Sequence, residues 1–234
     1  MRFWQSVAAV LLLAAVSLGY LVMQAERTQN DLIQEFIPVA GMRHLSLPDG
    51  SQVQLNSKST LLYPKQFTGK ERCVYLVGEA NFKVKPDKKH PFIVKSDDFQ
   101  VTALGTEFNV SAYPENQEIS TALLSGSVLV EWGNLTQRTV LQPDEQLTYD
   151  KENRQFRVVH PDMADVTAWQ RGELVFNEMT VEDIIRVLER KYNYTFVYSL
   201  NQLKKDRLSF RFKDKAPLAE VMDIIVDVAG NLKF

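Results

Sequence analysis

The run VYLVGEANFKV, Val74–Val84, decides the fold. Val74, Leu76, Phe82 and Val84 keep a period of two, which sends successive side chains to opposite faces and reads as a strand. The same pattern extends outward on both sides. Val53 and Leu55 alternate with Gln52 and Gln54, and Phe92–Val94, Phe99–Val101 and Phe108–Val110 follow. Ile119–Leu124, Ser127–Trp132, Thr139–Leu141 and Phe156–Val159 continue the series. Turn signals separate the runs: Pro48-Asp49-Gly50, Thr68-Gly69-Lys70, Lys85-Pro86-Asp87, Tyr113-Pro114-Glu115, Trp132-Gly133-Asn134 and Gln142-Pro143-Asp144. No amphipathic helix pattern interrupts Arg43–Val159. Residues 43–161 are therefore expected to form an all-β domain, either a sandwich or a solenoid.

The pattern changes on the C-terminal side. Leu174 and Phe176 form a short strand, and Thr180 starts a helix with Asp183 three residues on as a capping-box variant. Val181, Ile184, Ile185, Leu188 and Tyr192 share one helical face, and Glu182, Arg186, Glu189 and Arg190 take the other. Thr195–Tyr198 and Leu208–Phe212 read as strands. A second helix follows, with Pro217 near its first turn and Gly230 at its end. Val181, Ile184, Ile185 and Leu188 match Leu218, Val221, Met222 and Ile225 at an offset of 37. Residues 169–234 are thus expected to be a small α+β domain of two βαβ repeats. Its last strand, Leu232–Phe234, reads as cut short, so the natural chain is expected to continue.

On the N-terminal side, Phe3–Ala25 carries no Asp, Glu, Lys or Arg. A helix of that length reaches roughly 35 Å, enough to cross a hydrocarbon core. Residues 1–25 are accordingly expected to be a transmembrane signal anchor rather than a cleaved signal peptide. Arg2 favours a cytoplasmic N-terminus, and Trp4 and Tyr20 mark the two interfaces. Residues 26–42 read as a juxtamembrane linker.

Composition excludes several function classes. The formal net charge is -2, from 27 basic and 29 acidic residues, which gives no footprint for nucleic acid. Cys73 is the single cysteine, so there is no disulfide framework. His44, His90 and His160 are scattered, and none has a metal-ligand spacing. The acidic pairs Asp97-Asp98 and Asp162/Asp165 lie in turn contexts, where nothing splits their pKa values for acid–base work. No nucleophile elbow or phosphate loop occurs. The chain is expected not to be an enzyme and to need no cofactor. Tyr194, Phe196, Tyr198, Phe210 and Phe212 form an aromatic group that reads better as sheet packing than as a stacking platform.

Several segments taken together resemble the periplasmic domain of FecR-type anti-sigma factors. They are LPDGSQVQLNSKSTLLYPKQF (Leu47–Phe67), VYLVGEANFKV (Val74–Val84), HPFIV (His90–Val94), VTALGTEFNVSAY (Val101–Tyr113), LLSGSVLV (Leu123–Val130) and LQPDEQLTYD (Leu141–Asp150). One departure is Pro143-Asp144-Glu145-Gln146, where the family usually has Pro-Gly-Glu-Gln. WQRGELVFNEMTVEDIIRVLERKYN (Trp169–Asn193) and FRFKDKAPLAEVMDIIVDVAGNLKF (Phe210–Phe234) resemble the C-terminal domain of the Bacteroidetes branch. That domain is similar to the secretin-and-TonB N-terminal fold.

The resemblance implies a bacterial inner-membrane, single-pass transducer with its bulk in the periplasm. It would regulate an extracytoplasmic-function sigma factor in response to the signalling domain of a TonB-dependent outer-membrane transporter of iron complexes or glycans. An intramembrane protease would release the sigma factor. The family's cytoplasmic sigma-binding segment is missing, since only Met1 and Arg2 precede the span. Either the start is truncated, or the sigma-binding part is a separate chain. The tail is expected to bind the transporter by strand pairing, with Phe196, Tyr198, Phe210, Arg211, Phe212, Leu232 and Phe234 as candidate contacts. The alternative is a membrane-anchored periplasmic glycan- or ligand-binding module using Tyr63, Tyr113 and Trp132.

Overall fold

The computed structural model describes residues 4–5, 7, 11–20, 32–97, 99–133, 135–198, 207–213 and 216–229. Among these residues, thirteen strands run from Leu32 to Val159. The first seven are β1 (Leu32–Phe36), β2 (Arg43–Ser46), β3 (Gln52–Leu55), β4 (Thr60–Pro64), β5 (Arg72–Lys83), β6 (Phe92–Ser96) and β7 (Phe99–Ala103). Then come β8 (Glu107–Ala112), β9 (Glu118–Ser125), β10 (Val128–Trp132), β11 (Gln137–Leu141), β12 (Gln146–Asp150) and β13 (Gln155–Val159). β1 falls in the stretch read from sequence as a polar linker.

β5 organises this body. Its N-terminal half lies between β4 and β6, with Leu61 opposite Leu76 and Val74 opposite Val94. Its C-terminal half lies between β3 and β8, with Leu55 opposite Ala80 and Phe82 opposite Phe108. Two sheets therefore share one strand. Sheet A runs β1-β4-β5-β6-β7-β10-β11, and sheet B runs β2-β3-β5-β8-β9-β12-β13. The changeover is at Gly78, where φ is 101° and an added Cβ would lie 2.5 Å from Ser59 Oγ. Only glycine combines that backbone with that approach. Because β5 pairs with four strands in two sheets, the body is not a solenoid, in which each repeat touches only its neighbours.

The inward residues of both sheets form one core. Phe82 stacks on Phe108 at 5.3 Å and lies 5.9 Å from Phe92. Leu55, Leu61, Leu76, Leu123, Leu141 and Leu147 are fully buried around them. The outer face of sheet B is polar instead, with Ser111, Ser120, Thr148 and Arg157 in register across β8, β9, β12 and β13.

The tail follows a short connector. Residues 11–20 near the start lie in helix α1, and the connector consists of α2 (Met163–Val166) and a 3-10 helix (Ala168–Arg171). Asp162 caps α2, accepting from the Ala164 amide at 2.8 Å. Then come β14 (Leu174–Thr180), α3 (Val181–Tyr192), β15 (Arg207–Phe212) and α4 (Leu218–Ala229). Thr180 caps α3 by accepting from the Asp183 amide at 3.2 Å. The matched stripes of α3 and α4 share one apolar cluster, with Ile184, Leu188, Val221 and Ile225 fully buried.

Two expectations are corrected here. Among the described residues, no helix is long and apolar enough to cross a membrane. The transmembrane anchor over 1–25 is overturned, and with it the single-pass inner-membrane placement with a cytoplasmic N-terminus. The tail also holds two strand–helix units rather than two complete βαβ repeats. Thr195–Tyr198 is not a strand: the Phe196 amide bonds the Glu189 carboxylate at 2.9 Å instead of a ladder partner, and Val197 is 99% exposed. Leu232–Phe234 lies outside the described residues.

Candidate protein-interaction site

β14 and β15 form a two-stranded antiparallel sheet, with Leu174 opposite Phe212 and Phe176 opposite Phe210. Alternation gives β15 two unlike faces. Leu208, Phe210 and Phe212 turn toward the helices, where Phe210 lies 4.9 Å from Phe176 and 5.5 Å from Phe212. Arg207, Ser209 and Arg211 lie on the other face. Arg207 Nη1 donates to the Glu178 carbonyl at 2.6 Å, and Nη2 sits 3.9 Å from Glu118 of β9. Arg211 pairs with Asp165 of α2. A register shift between Phe176 and Met179 places Glu178 at φ 51°, and Ser209 bridges it by accepting from its amide at 2.9 Å.

The tail overhangs the outer face of sheet B across a cleft of about 770 Å³. Glu79, Asn109, Ser111 and Thr148 line one wall, and Trp169, Val175, Arg190 and Arg207 line the other. Two contacts bracket it. Trp169 Nε1 donates to Asn109 Oδ1 at 3.2 Å, while Asn109 and Asn56 donate to the two oxygens of Glu79 at 3.0 and 2.8 Å. Enclosure raises the Glu79 carboxyl above its ordinary pKa, against the opposing pull of Asn109, Asn56 and the Arg190 charge. Across the cleft, the Arg190 guanidinium lies 3.8 Å from the centre of the Tyr113 ring. It also donates to Glu115 at 2.9 Å and Asn116 at 3.1 Å. Burial pushes the Tyr113 phenol up, and its hydroxyl donates to the Ser57 carbonyl at 2.8 Å.

The sequence candidates divide accordingly. Phe212 is buried, and Phe196, Tyr198 and Phe210 are partly buried against the tail cluster, so all four have packing roles. Arg211 is half exposed. Leu232 and Phe234 lie outside the described residues. Sequence reasoning missed Arg190, Trp169, Asn109 and Glu79, and no local signal points to them, because they meet across sequence separations of 30 and more. The aromatics offered for glycans are lost to that role, since Tyr63, Tyr113 and Trp132 are all buried on inward or covered faces. Among the described residues, no group of three or more His, Cys, Asp or Glu is arranged to hold a metal ion.

Comparison with known proteins decides the identity of this architecture. Residues 36–129 match the family described as FecR protein, and residues 173–234 match the family described as FecR, C-terminal. A crystal structure of a Parabacteroides distasonis protein, provisionally assigned as an anti-sigma factor, is 32% identical to this chain. The match covers 86% of this chain and 92% of that one, with a TM-score of 0.81. The chain belongs to the FecR family. A second Parabacteroides distasonis structure with the same provisional assignment is 31% identical, covers 86% of this chain and 95% of its own, and has a TM-score of 0.80. No functionally curated protein matches the chain. FecR membership is that of a signalling protein directed at a sigma factor, not of a catalyst. In this FecR-family chain the body and the tail correspond to separate family models, and the cleft lies between them.

Proposed function

We propose that this chain controls the availability of an extracytoplasmic-function sigma factor according to contact between its tail and the signalling domain of a TonB-dependent transporter. One observation carries the reading. A chain 32% identical over most of its length is provisionally assigned as an anti-sigma factor, and the tail it shares presents a strand with an unused edge among the described residues. Among the described residues β15 pairs with β14 alone, which leaves one row of its backbone donors and acceptors for a partner strand. A strand from the signalling domain laid against β15 satisfies those groups through main-chain hydrogen bonds, while Arg211 supplies side-chain recognition.

The test is direct binding of transporter signalling domains from the same organism to the chain and to its Arg211→Pro variant. Proline removes one amide donor and disfavours strand pairing. Weaker binding by a variant that keeps its circular dichroism spectrum supports the reading. Unchanged binding counts against it.

A further inference from the structure

We propose that Arg190 is a latch that holds the tail closed over sheet B, and that the polar face of β15 is offered to a partner only when the latch opens. This rests on the reading of β15 as the receiving strand.

Three observations carry it. First, the apolar clusters of body and tail are separate, and a cleft lined by both polar and apolar side chains lies between them. Units joined without a shared apolar interface move relative to one another by default, so a closed position must be held by particular contacts.

Second, those contacts converge on Arg190. It lies on the charged side of α3, yet its side chain is only 7% exposed. It stacks on Tyr113 and donates to Glu115 and Asn116 at the tip between β8 and β9. Its backbone carbonyl accepts from the Ala40 amide, just beyond β1, at 2.9 Å. A planar guanidinium stacked on a ring and held by two acceptors loses little further entropy per bond, which suits a reversible catch.

Third, the closed position occupies the surface a partner needs. Arg207 is drawn toward Glu118 of the body and Arg211 is paired with Asp165 of the connector. A strand docking on β15 competes with this arrangement, so its affinity carries the cost of opening.

Two hydrogen bonds report the closed position without using the Arg190 side chain. The Ala40 amide bonds a backbone carbonyl, which survives Arg190→Ala. The Trp169 indole bonds Asn109 on the opposite side of the cleft. Hydrogen exchange at both is compared in the chain, in Arg190→Ala and in the double variant Glu115→Ala/Asn116→Ala. The double variant alters only a surface turn and keeps the test valid if Arg190→Ala unfolds. Exchange faster by about tenfold at both reporters, with unchanged protection at Leu55 in the core, is the expected result. Unchanged exchange in the folded variants overturns the latch. A transporter signalling domain is expected to bind the opened variants about tenfold more tightly. Equal affinity overturns the second half of the proposal. Faster exchange with no signalling domain bound by any form leaves the latch standing and refutes the function proposed above.

Discussion

Arg72 shows how one side chain secures the body. It is buried at the start of β5, pairs with Asp49 at 2.6 Å, and donates to the carbonyls of His90 at 2.8 Å and Lys85 at 2.9 Å. Asp49→Asn leaves that guanidinium without a counter-charge, and the expected loss is about 3 kcal/mol, read as a lower denaturation midpoint. The pH dependence has a definite sign. Burial raises the Asp49 carboxyl, but hydrogen bonds from Ser51 and Arg72 outweigh it and hold the pKa below its ordinary 3.8. A carboxyl depressed on folding contributes stability above its unfolded value and loses it as pH falls through the folded value. The gap between the chain and Asp49→Asn should therefore close as the pH is taken below 3.8 in urea titrations. At Gly78, alanine meets Ser59 in a strained backbone, and Gly78→Ala is expected to cost about 3 kcal/mol or to prevent folding. Neither residue's role was legible in the sequence. Asp49 reads there as an ordinary turn residue, and Arg72 is 23 positions away from it.

Elements were legible wherever local periodicity decides them. The alternation through β5, β7 and β10 matches their buried faces, because a strand with one face on the core turns every second side chain toward it. The start of α3 was legible because Thr180 and Asp183 cap it locally, and Thr180→Ala is expected to cost about 1 kcal/mol in thermal denaturation. Thr195–Tyr198 failed as a strand because strandhood needs a neighbouring chain, and the Glu189 carboxylate takes the Phe196 amide instead. The apolar composition of residues 3–25 reads as a membrane span, but among the described residues no helix is long and apolar enough to cross a membrane. The helical pattern sets Arg190 on the charged face of α3 with Glu182, Arg186 and Glu189. Its burial comes from Tyr113 and Glu115, 75 or more positions earlier, which no helical pattern records.

Across the whole molecule, two separate apolar cores lie on either side of a cleft, and Glu79 is among its lining residues. Its carboxyl is raised on folding, so the ionised form is disfavoured in the folded chain and stability falls as pH rises from 4.5 through the folded value. Glu79→Gln should remove that fall, which parallel denaturation series of chain and variant across this range will register. The cleft gives a conformational switch a place to act, and β15, with one edge unused among the described residues, gives it an output. The measurement closest to the central claim is calorimetric titration of the full chain, and of Arg211→Pro, with signalling domains of TonB-dependent transporters from its own organism. Saturable binding to one of them, weakened in the folded variant, is the expected result. Absence of binding to every such domain, or equal binding by chain and variant, would contradict the account.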